Sequence, residues 1–161
     1  MKTLKPEIIQ KIKDLIPLYP AKQAVTLPAL HLVQDEYRCV SLDAIREIAS
    51  LLELAPSEVH DTMSFYGFFK TEKEPLGKCR LWVCRSLACD LRGADQVLGK
   101  FIDTLGVAPG QTTKDGKITL EEAECIGACE GAPCVLLDDV HRHLVTEDKV
   151  DDLIRELRSR Q

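Results

Sequence analysis

No C-x-x-C occurs in the 161 residues, which excludes a thioredoxin-type dithiol. No apolar run reaches the ~18 residues of a membrane-spanning helix, so direct insertion into a membrane is not expected. Neither G-x-G-x-x-G nor a P-loop is present, so no dinucleotide is expected to bind by a known motif. No Ser-His-Asp constellation is evident, and there is no internal repeat or low-complexity segment. The start, Met1-Lys2-Thr3-Leu4-Lys5-Pro6-Glu7, has neither the apolar stretch of a signal peptide nor the Arg- and Ser-rich character of a transit peptide, so the expected place is a reducing cytoplasm. A formal net charge of -5 argues against non-specific binding of nucleic acid.

The composition is that of an ordinary globular protein: 45% of residues are hydrophobic and 29% charged. The length suits one domain or two small ones. Seven cysteines is an odd number, so complete pairing within the chain is impossible. In a cytosolic protein such cysteines more often bind metal or do redox work.

The pattern changes near Thr71-Glu72-Lys73-Glu74-Pro75-Leu76-Gly77, a charged stretch ending in Pro and Gly that reads as a boundary between residues 1–74 and 75–161. Before it, helical spacing dominates. Ile45, Ile48, Ala49 and Leu52 follow an N-cap at Ser41. Val59, Thr62, Met63 and Tyr66 repeat the spacing after Pro56, a residue suited to a first turn. Residues 6–15 and 21–37 also read as helices. The first part is expected to be a small helical bundle.

Beyond the boundary the classes alternate. Cys79–Cys84 reads as a strand. Leu91, Ala94, Val97, Leu98, Phe101, Ile102 and Leu105 form a helical stripe closed by Gly106. Lys114-Asp115-Gly116 is a turn before a strand carrying Ile118 and Leu120. Residues 135–137 and 142–145 flank Asp138-Asp139-Val140-His141 as a hairpin. Thr146 caps a last helix with Val150, Leu153, Ile154 and Leu157 as its stripe. A sheet of about four strands with two helices fits this α/β layout.

Two cysteine pairs stand out: Cys84-x4-Cys89, and Cys125-x3-Cys129 within Glu124-Cys125-Ile126-Gly127-Ala128-Cys129-Glu130-Gly131-Ala132-Pro133. A [2Fe–2S] cluster needs four thiolates, two for each iron. Structural zinc sites tolerate the same spacings, so on spacing alone iron–sulfur and a structural zinc-binding adaptor both stand. Arg92 occupies the place of the third ligand of a plant-type C-x4-C-x2-C ferredoxin, which excludes that pattern. Cys79 and Cys84 would face opposite sides of one strand, because a separation of five is odd. Cys84 and Cys89 instead span a strand end and a helix start, where peptide N–H groups could donate to sulfur. Cys39, Cys79 and Cys134 read as buried small hydrophobes.

The two-pair spacing, joined to Val59-His60-Asp61-Thr62-Met63-Ser64-Phe65-Tyr66, Cys89-Asp90-Leu91-Arg92-Gly93 and Ala132-Pro133, resembles the family of the small [2Fe–2S] subunit of the NADH-dehydrogenase module of respiratory complex I, an NADH-quinone oxidoreductase. Related diaphorase subunits of NAD-linked hydrogenases and formate dehydrogenases share the pattern. The resemblance covers nearly the whole chain. It implies an α+β protein: a helical N-terminal domain followed by a thioredoxin-like [2Fe–2S] ferredoxin domain. It implies one [2Fe–2S] cluster on Cys84, Cys89, Cys125 and Cys129. It also implies a partner flavoprotein that binds FMN and NADH, so that this chain carries electrons within an oxidoreductase and has no substrate site of its own. Arg38-Cys39-Val40 and Cys134 depart from the family's usual pattern.

Other candidates are weaker. His31, His60, His141 and His143 show no ligand spacing, and the last two read as exposed hairpin residues. Of Phe65, Tyr66, Phe68 and Phe69, the first two are expected in the bundle core and one of the others outside it. Glu121, Glu122, Glu124 and Glu130 crowd the second pair, which would lower a cluster's potential, and Arg85 and Arg92 beside the first pair oppose this.

Overall fold

The computed structural model describes residues 4–159; Met1–Thr3, which begin the segment considered for a leader, lie outside them. Two compact units are formed, Met1–Pro75 and Leu76–Gln161.

The first unit holds four helices, α1 (Pro6–Leu15), α2 (Thr26–Tyr37), α3 (Leu42–Leu52) and α4 (Pro56–Phe65). The Ser41 Oγ accepts from the Ala44 N–H at 3.0 Å and so starts α3. The Glu58 carboxylate accepts from the Ala55 N–H at 2.8 Å at the head of α4. The segment expected to be helical from residue 21 is instead a 3-10 turn, Lys22–Val25, followed by α2. Pro28 explains the break, since its ring would clash with the carbonyl four residues earlier in a longer α-helix. Ile8, Ile12, Leu30, Val33, Ile45, Ile48, Leu52, Val59 and Met63 make the core.

The aromatic residues after α4 reverse the expectation. Phe65 is 80% exposed and Phe69 only 7%. At 100° per residue, Phe65 lies on the opposite side of α4 from Val59 and Met63. The chain then turns back, pinned by the buried Gln34: its Nε2 donates to the Phe68 carbonyl at 2.9 Å and its Oε1 accepts from the Lys70 N–H at 2.7 Å. That reversal carries Phe69 into the core and leaves Tyr66 and Phe68 partly buried against it.

The second unit is a mixed four-stranded sheet of order β2-β1-β3-β4, from β1 (Cys79–Cys84), β2 (Ile118–Ala123), β3 (Val135–Leu137) and β4 (Val140–Arg142). β1 pairs parallel with β2 and antiparallel with β3, and β3 with β4. A short helix, α5 (Leu87–Asp90), follows β1 and leads to α6 (Ala94–Leu105); α7 (Val150–Ser159) ends the unit. Leu81, Val83, Ile118, Leu120, Val135 and Leu137 bury one face against Val97 and Phe101 of α6 and Val150, Ile154 and Leu157 of α7. Gly93, at φ 92°, separates α5 from α6, so Leu91 leaves the expected stripe and is exposed. The hairpin is tighter than expected. Asp138, at φ 53°, and Asp139 make the turn, and the second strand runs over Val140–Arg142 rather than 142–145. It ends there because Leu144, at φ 52°, turns its N–H onto the Gly131 carbonyl at 2.6 Å.

Phe69→Ala is expected to destabilise the full chain by about 3 kcal/mol, and Phe65→Ala by no more than about 0.5 kcal/mol. Urea denaturation midpoints distinguish the two; equal losses would put Phe65 back in the core.

Candidate functional site: two thiol-bearing loops

The site grows from the carboxyl end of β1. There the Arg85 N–H extends the parallel ladder to the Ala123 carbonyl at 2.9 Å, and the Cys84 N–H reaches the Cys134 carbonyl on the other side at 3.3 Å. After Cys84 the chain folds into α5, with the N–H groups of Cys89 and Asp90 both on the Ser86 carbonyl at 2.9 Å. After β2 it enters the second loop, which carries Cys125, Gly127 at φ 73°, and a 3-10 turn over Cys129–Gly131. The Gly127 N–H donates to the Cys125 Sγ at 3.4 Å. The Arg92 guanidinium ties the first loop to the second through the Ala132 carbonyl at 3.3 Å. His141 of β4, exposed as expected, sets its Nε2 2.8 Å from the Ile126 carbonyl.

Cys84 and Cys89 are buried among Ala94, Ala128 and Ala132, whose small side chains leave room around the sulfurs. Burial pushes the Cys84 thiol up, but the peptide N–H groups of Ser86 and Ile126 and the thiols of Cys89 and Cys134 hold it below its usual value. Ile126 belongs to the second loop, so its N–H on the Cys84 sulfur joins the two cysteine pairs. Burial pushes Cys89 up, although the Cys134 side chain and peptide N–H both bond its sulfur. Cys125 and Cys129 are exposed. Cys129 is also raised, by desolvation first and then by Cys125 and Cys84 nearby. The four cysteines expected from the sequence thus lie on two adjoining loops, one pair inside and one pair at the surface.

A fifth thiol joins them, Cys134, which stands an x4 gap beyond Cys129. Cys134 is buried as expected, but its Sγ stands 3.3 Å from that of Cys89, and the sulfurs of Cys84, Cys89 and Cys134 all lie within 4.8 Å of one another. Its own thiol is pushed strongly up by burial and by Cys89 and Cys84 beside it. The signal was the hairpin register: Val83 faces Val135, so Cys84 faces Cys134 across the same ladder. Cys79, by contrast, belongs to the helix-covered core as expected, whereas Cys39, in the first unit, is only partly buried rather than buried.

The acidic residues are largely matched. Arg85 pairs with Glu124 and, at 3.5 Å, with Glu122. Glu121 and Arg80 form an ion pair of low exposure, with the guanidinium 4.2 Å over the Trp82 ring.

A mixed sheet backed by two helices, with soft thiol donors gathered at its edge, suits a metal–thiolate site of the iron–sulfur or zinc class. The chain belongs to the thioredoxin-like [2Fe-2S] ferredoxin family, whose sequence model matches residues 12–158. Among its relatives is NADH-quinone oxidoreductase subunit 2 of Thermus thermophilus, 33% identical over 151 residues, covering 92% of this chain and 82% of that protein. Another is an NADH-quinone oxidoreductase subunit of Aquifex aeolicus, 30% identical over 92% of this chain and 91% of that one. A chain in the crystal structure of an NAD+-reducing [NiFe]-hydrogenase shares the fold, with a TM-score of 0.73 at 22% identity, over 84% of this chain and 23% of that longer one. Among the described residues no helix is long and apolar enough to cross a membrane.

Gly131 marks how closely the second loop meets the hairpin end. A Cβ there would stand 2.4 Å from the His143 Cγ and 2.5 Å from its Cβ. Gly131→Ala is therefore expected to cost about 1–3 kcal/mol. Adding His143→Ala should not restore the melting temperature, because the His143 Cβ is itself in the way, whereas His143→Gly should. Rescue by His143→Ala would show that only the imidazole matters.

Proposed function

We propose that this chain is the electron-carrying subunit of an NADH-oxidising assembly of the NADH-quinone oxidoreductase type. It would hold one [2Fe–2S] cluster on Cys84, Cys89, Cys125 and Cys129. The observation that carries this reading is that the loops bearing the two cysteine pairs adjoin at one edge of the sheet, tied by the Arg92 guanidinium on the Ala132 carbonyl at 3.3 Å. The donor set fits the group: four soft thiols on two loops, two of them wrapped in small apolar side chains and bonded by peptide N–H groups. Bound there, the cluster supplies one-electron exchange. Cys84 and Cys89, which are buried, and Cys125 and Cys129, which are exposed, would be its ligands.

The partner is an FMN- and NADH-binding flavoprotein subunit, and this chain is enzymatic only within that complex. Its place is cytoplasmic, on the inner side of the membrane. Five relatives at 30–34% identity are NADH-quinone oxidoreductase subunits. The hydrogenase likeness at 22% identity speaks for the fold alone, so a diaphorase role beside a hydrogenase or formate dehydrogenase takes second place.

The purified chain should be red-brown, with two irons and two sulfides; a colourless zinc protein would overturn the reading. Cys125→Ser and Cys129→Ser should destabilise or abolish the [2Fe–2S] spectrum, since hard oxygen replaces soft thiolate. Cys39→Ser and Cys79→Ser should keep it. Alone, the chain should not oxidise NADH, and adding the flavoprotein partner should restore transfer to an artificial acceptor. Stoichiometric binding of NADH or FMN to the isolated chain would contradict this assignment.

We assign docking to residues 1–74 and the cluster to residues 75–161. A fragment beginning at Pro75 should then keep its spectrum yet pull down the flavoprotein poorly beside the full chain. Loss of the spectrum would instead make the helices a structural support.

A further inference from the structure

The cluster reading uses four thiols, but the loops bring five together. We propose that Cys134 is a reserve ligand, a built-in thiol that takes over the metal bond of Cys89 when Cys89 is lost. The inference rests on the proposed [2Fe–2S] reading and goes beyond its ligand set.

Three observations carry it. First, proximity: the Cys134 Sγ lies 3.3 Å from the Cys89 Sγ, and the two with Cys84 fall within 4.8 Å of one another. Two thiolates on one tetrahedral metal with bonds of about 2.3 Å stand about 3.8 Å apart, so the Cys134 sulfur lies within reach of any metal that the Cys89 sulfur holds. Second, rigidity: Cys134 is placed by the sheet, since it faces Cys84 across the antiparallel ladder and its carbonyl accepts the Cys84 N–H at 3.3 Å. Residues directly opposite in such a pair direct their side chains to the same face. Cys134 therefore needs no rearrangement to point at the site, whereas Cys89 arrives on the short helix α5. Third, isolation: Cys134 is 2% exposed and lined by the same small residues as Cys84 and Cys89. Water has poor access to the position it would fill.

The exchange is a ligand substitution with no change of oxidation state. When residue 89 lacks a sulfur, one iron lacks one thiolate bond. The Cys134 thiol gives its proton to solvent and its sulfur forms the replacing bond.

The test uses the full chain in five forms: wild type, Cys134→Ala, Cys89→Ala, Cys89→Ala with Cys134→Ala, and Cys84→Ala with Cys134→Ala. Iron and sulfide content, the visible spectrum and the electron paramagnetic resonance of the reduced protein are recorded, with far-ultraviolet circular dichroism to show that each is folded. Alanine is chosen because it offers no oxygen ligand. Cys134→Ala should match wild type. Cys89→Ala should keep its iron and an all-thiolate spectrum with altered resonance values. The Cys89/Cys134 double variant should lose iron on gel filtration by about tenfold or more, and the Cys84/Cys134 double variant should lose it likewise. A parallel Cys89→Ser series covers the case in which alanine variants do not fold: the single variant should look all-thiolate, and the double should show an oxygen-ligated spectrum.

Equal loss of iron in Cys89→Ala and in the Cys89/Cys134 double variant overturns the proposal. So does loss in Cys134→Ala with retention in Cys89→Ala, which would make Cys134 the primary ligand. Zinc instead of iron in the wild type is a separate failure, that of the cluster reading itself, and is visible before any variant is made.

Discussion

Strand β1 is bonded on one side to a parallel neighbour and on the other to an antiparallel one, and the position of every thiol in the site follows from that. The parallel ladder to β2 brings the ends of both strands to the same edge of the sheet, so the loops after Cys84 and after Ala123 start side by side. The antiparallel ladder to β3 sets Cys134 opposite Cys84. A sheet of uniform direction could not do both, because a parallel β3 would begin at the far edge. The apolar alternation that buries Leu81 and Val83 under α6 and α7 also fixes which face Cys84 takes. A one-residue slip of β1 would move it to the helix-covered face and dismantle the site.

The two halves of the site differ in surroundings. Cys84 and Cys89 are enclosed and receive peptide N–H donors, while Cys125 and Cys129 stand at the surface on a loop shaped by Gly127 and held through Ile126. The backbone of Ile126 is anchored through its carbonyl, which meets His141. A loop otherwise open to solvent is thereby tied to β4.

What could be read along the chain was local. Ser41, Pro56, Gly106 and the Lys114-Asp115-Gly116 turn act through their own backbone neighbourhoods, and the helices and turn they mark lie where the sequence places them. Cys79–Cys84 declared its strand, and the odd separation of its cysteines separated Cys79 from Cys84. What could not be read depended on partners distant in sequence. Phe69 is inside because Gln34, on another helix, turns the chain after Phe65. The hairpin's second strand is short because Leu144 bonds Gly131. Cys134 looked like filler because its relation to Cys84 is one of register between strands. Of the site, the spacing within each cysteine pair was legible because it is local; the approach of Cys134 to Cys84 and Cys89 was not.

Charge near the thiols follows the same logic of cross-strand placement. In the sequence, four glutamates crowd the second cysteine pair and would disfavour an added electron. In the fold, β2 runs parallel to β1, so Arg80 of β1 reaches Glu121, which lies opposite Trp82, and Arg85 just past β1 reaches Glu122 and Glu124 at the end of β2. The Arg80 pair is enclosed, with the guanidinium over the Trp82 ring, and the Arg85 pairing lies at the surface. The two pairs differ in weight. An exposed pair contributes about 0–1 kcal/mol and is screened by salt, whereas breaking one side of an enclosed pair costs about 3–5 kcal/mol because a charge is left behind. Arg80 and Glu121 therefore act on the register of β1 against β2, the same register that brings the cysteine loops together. Arg85, Glu122 and Glu124 instead set the local field at the rim, where Glu130 is exposed beside Cys129. The acidic run is thus divided by the sheet into a structural part and a part that faces solvent and any partner.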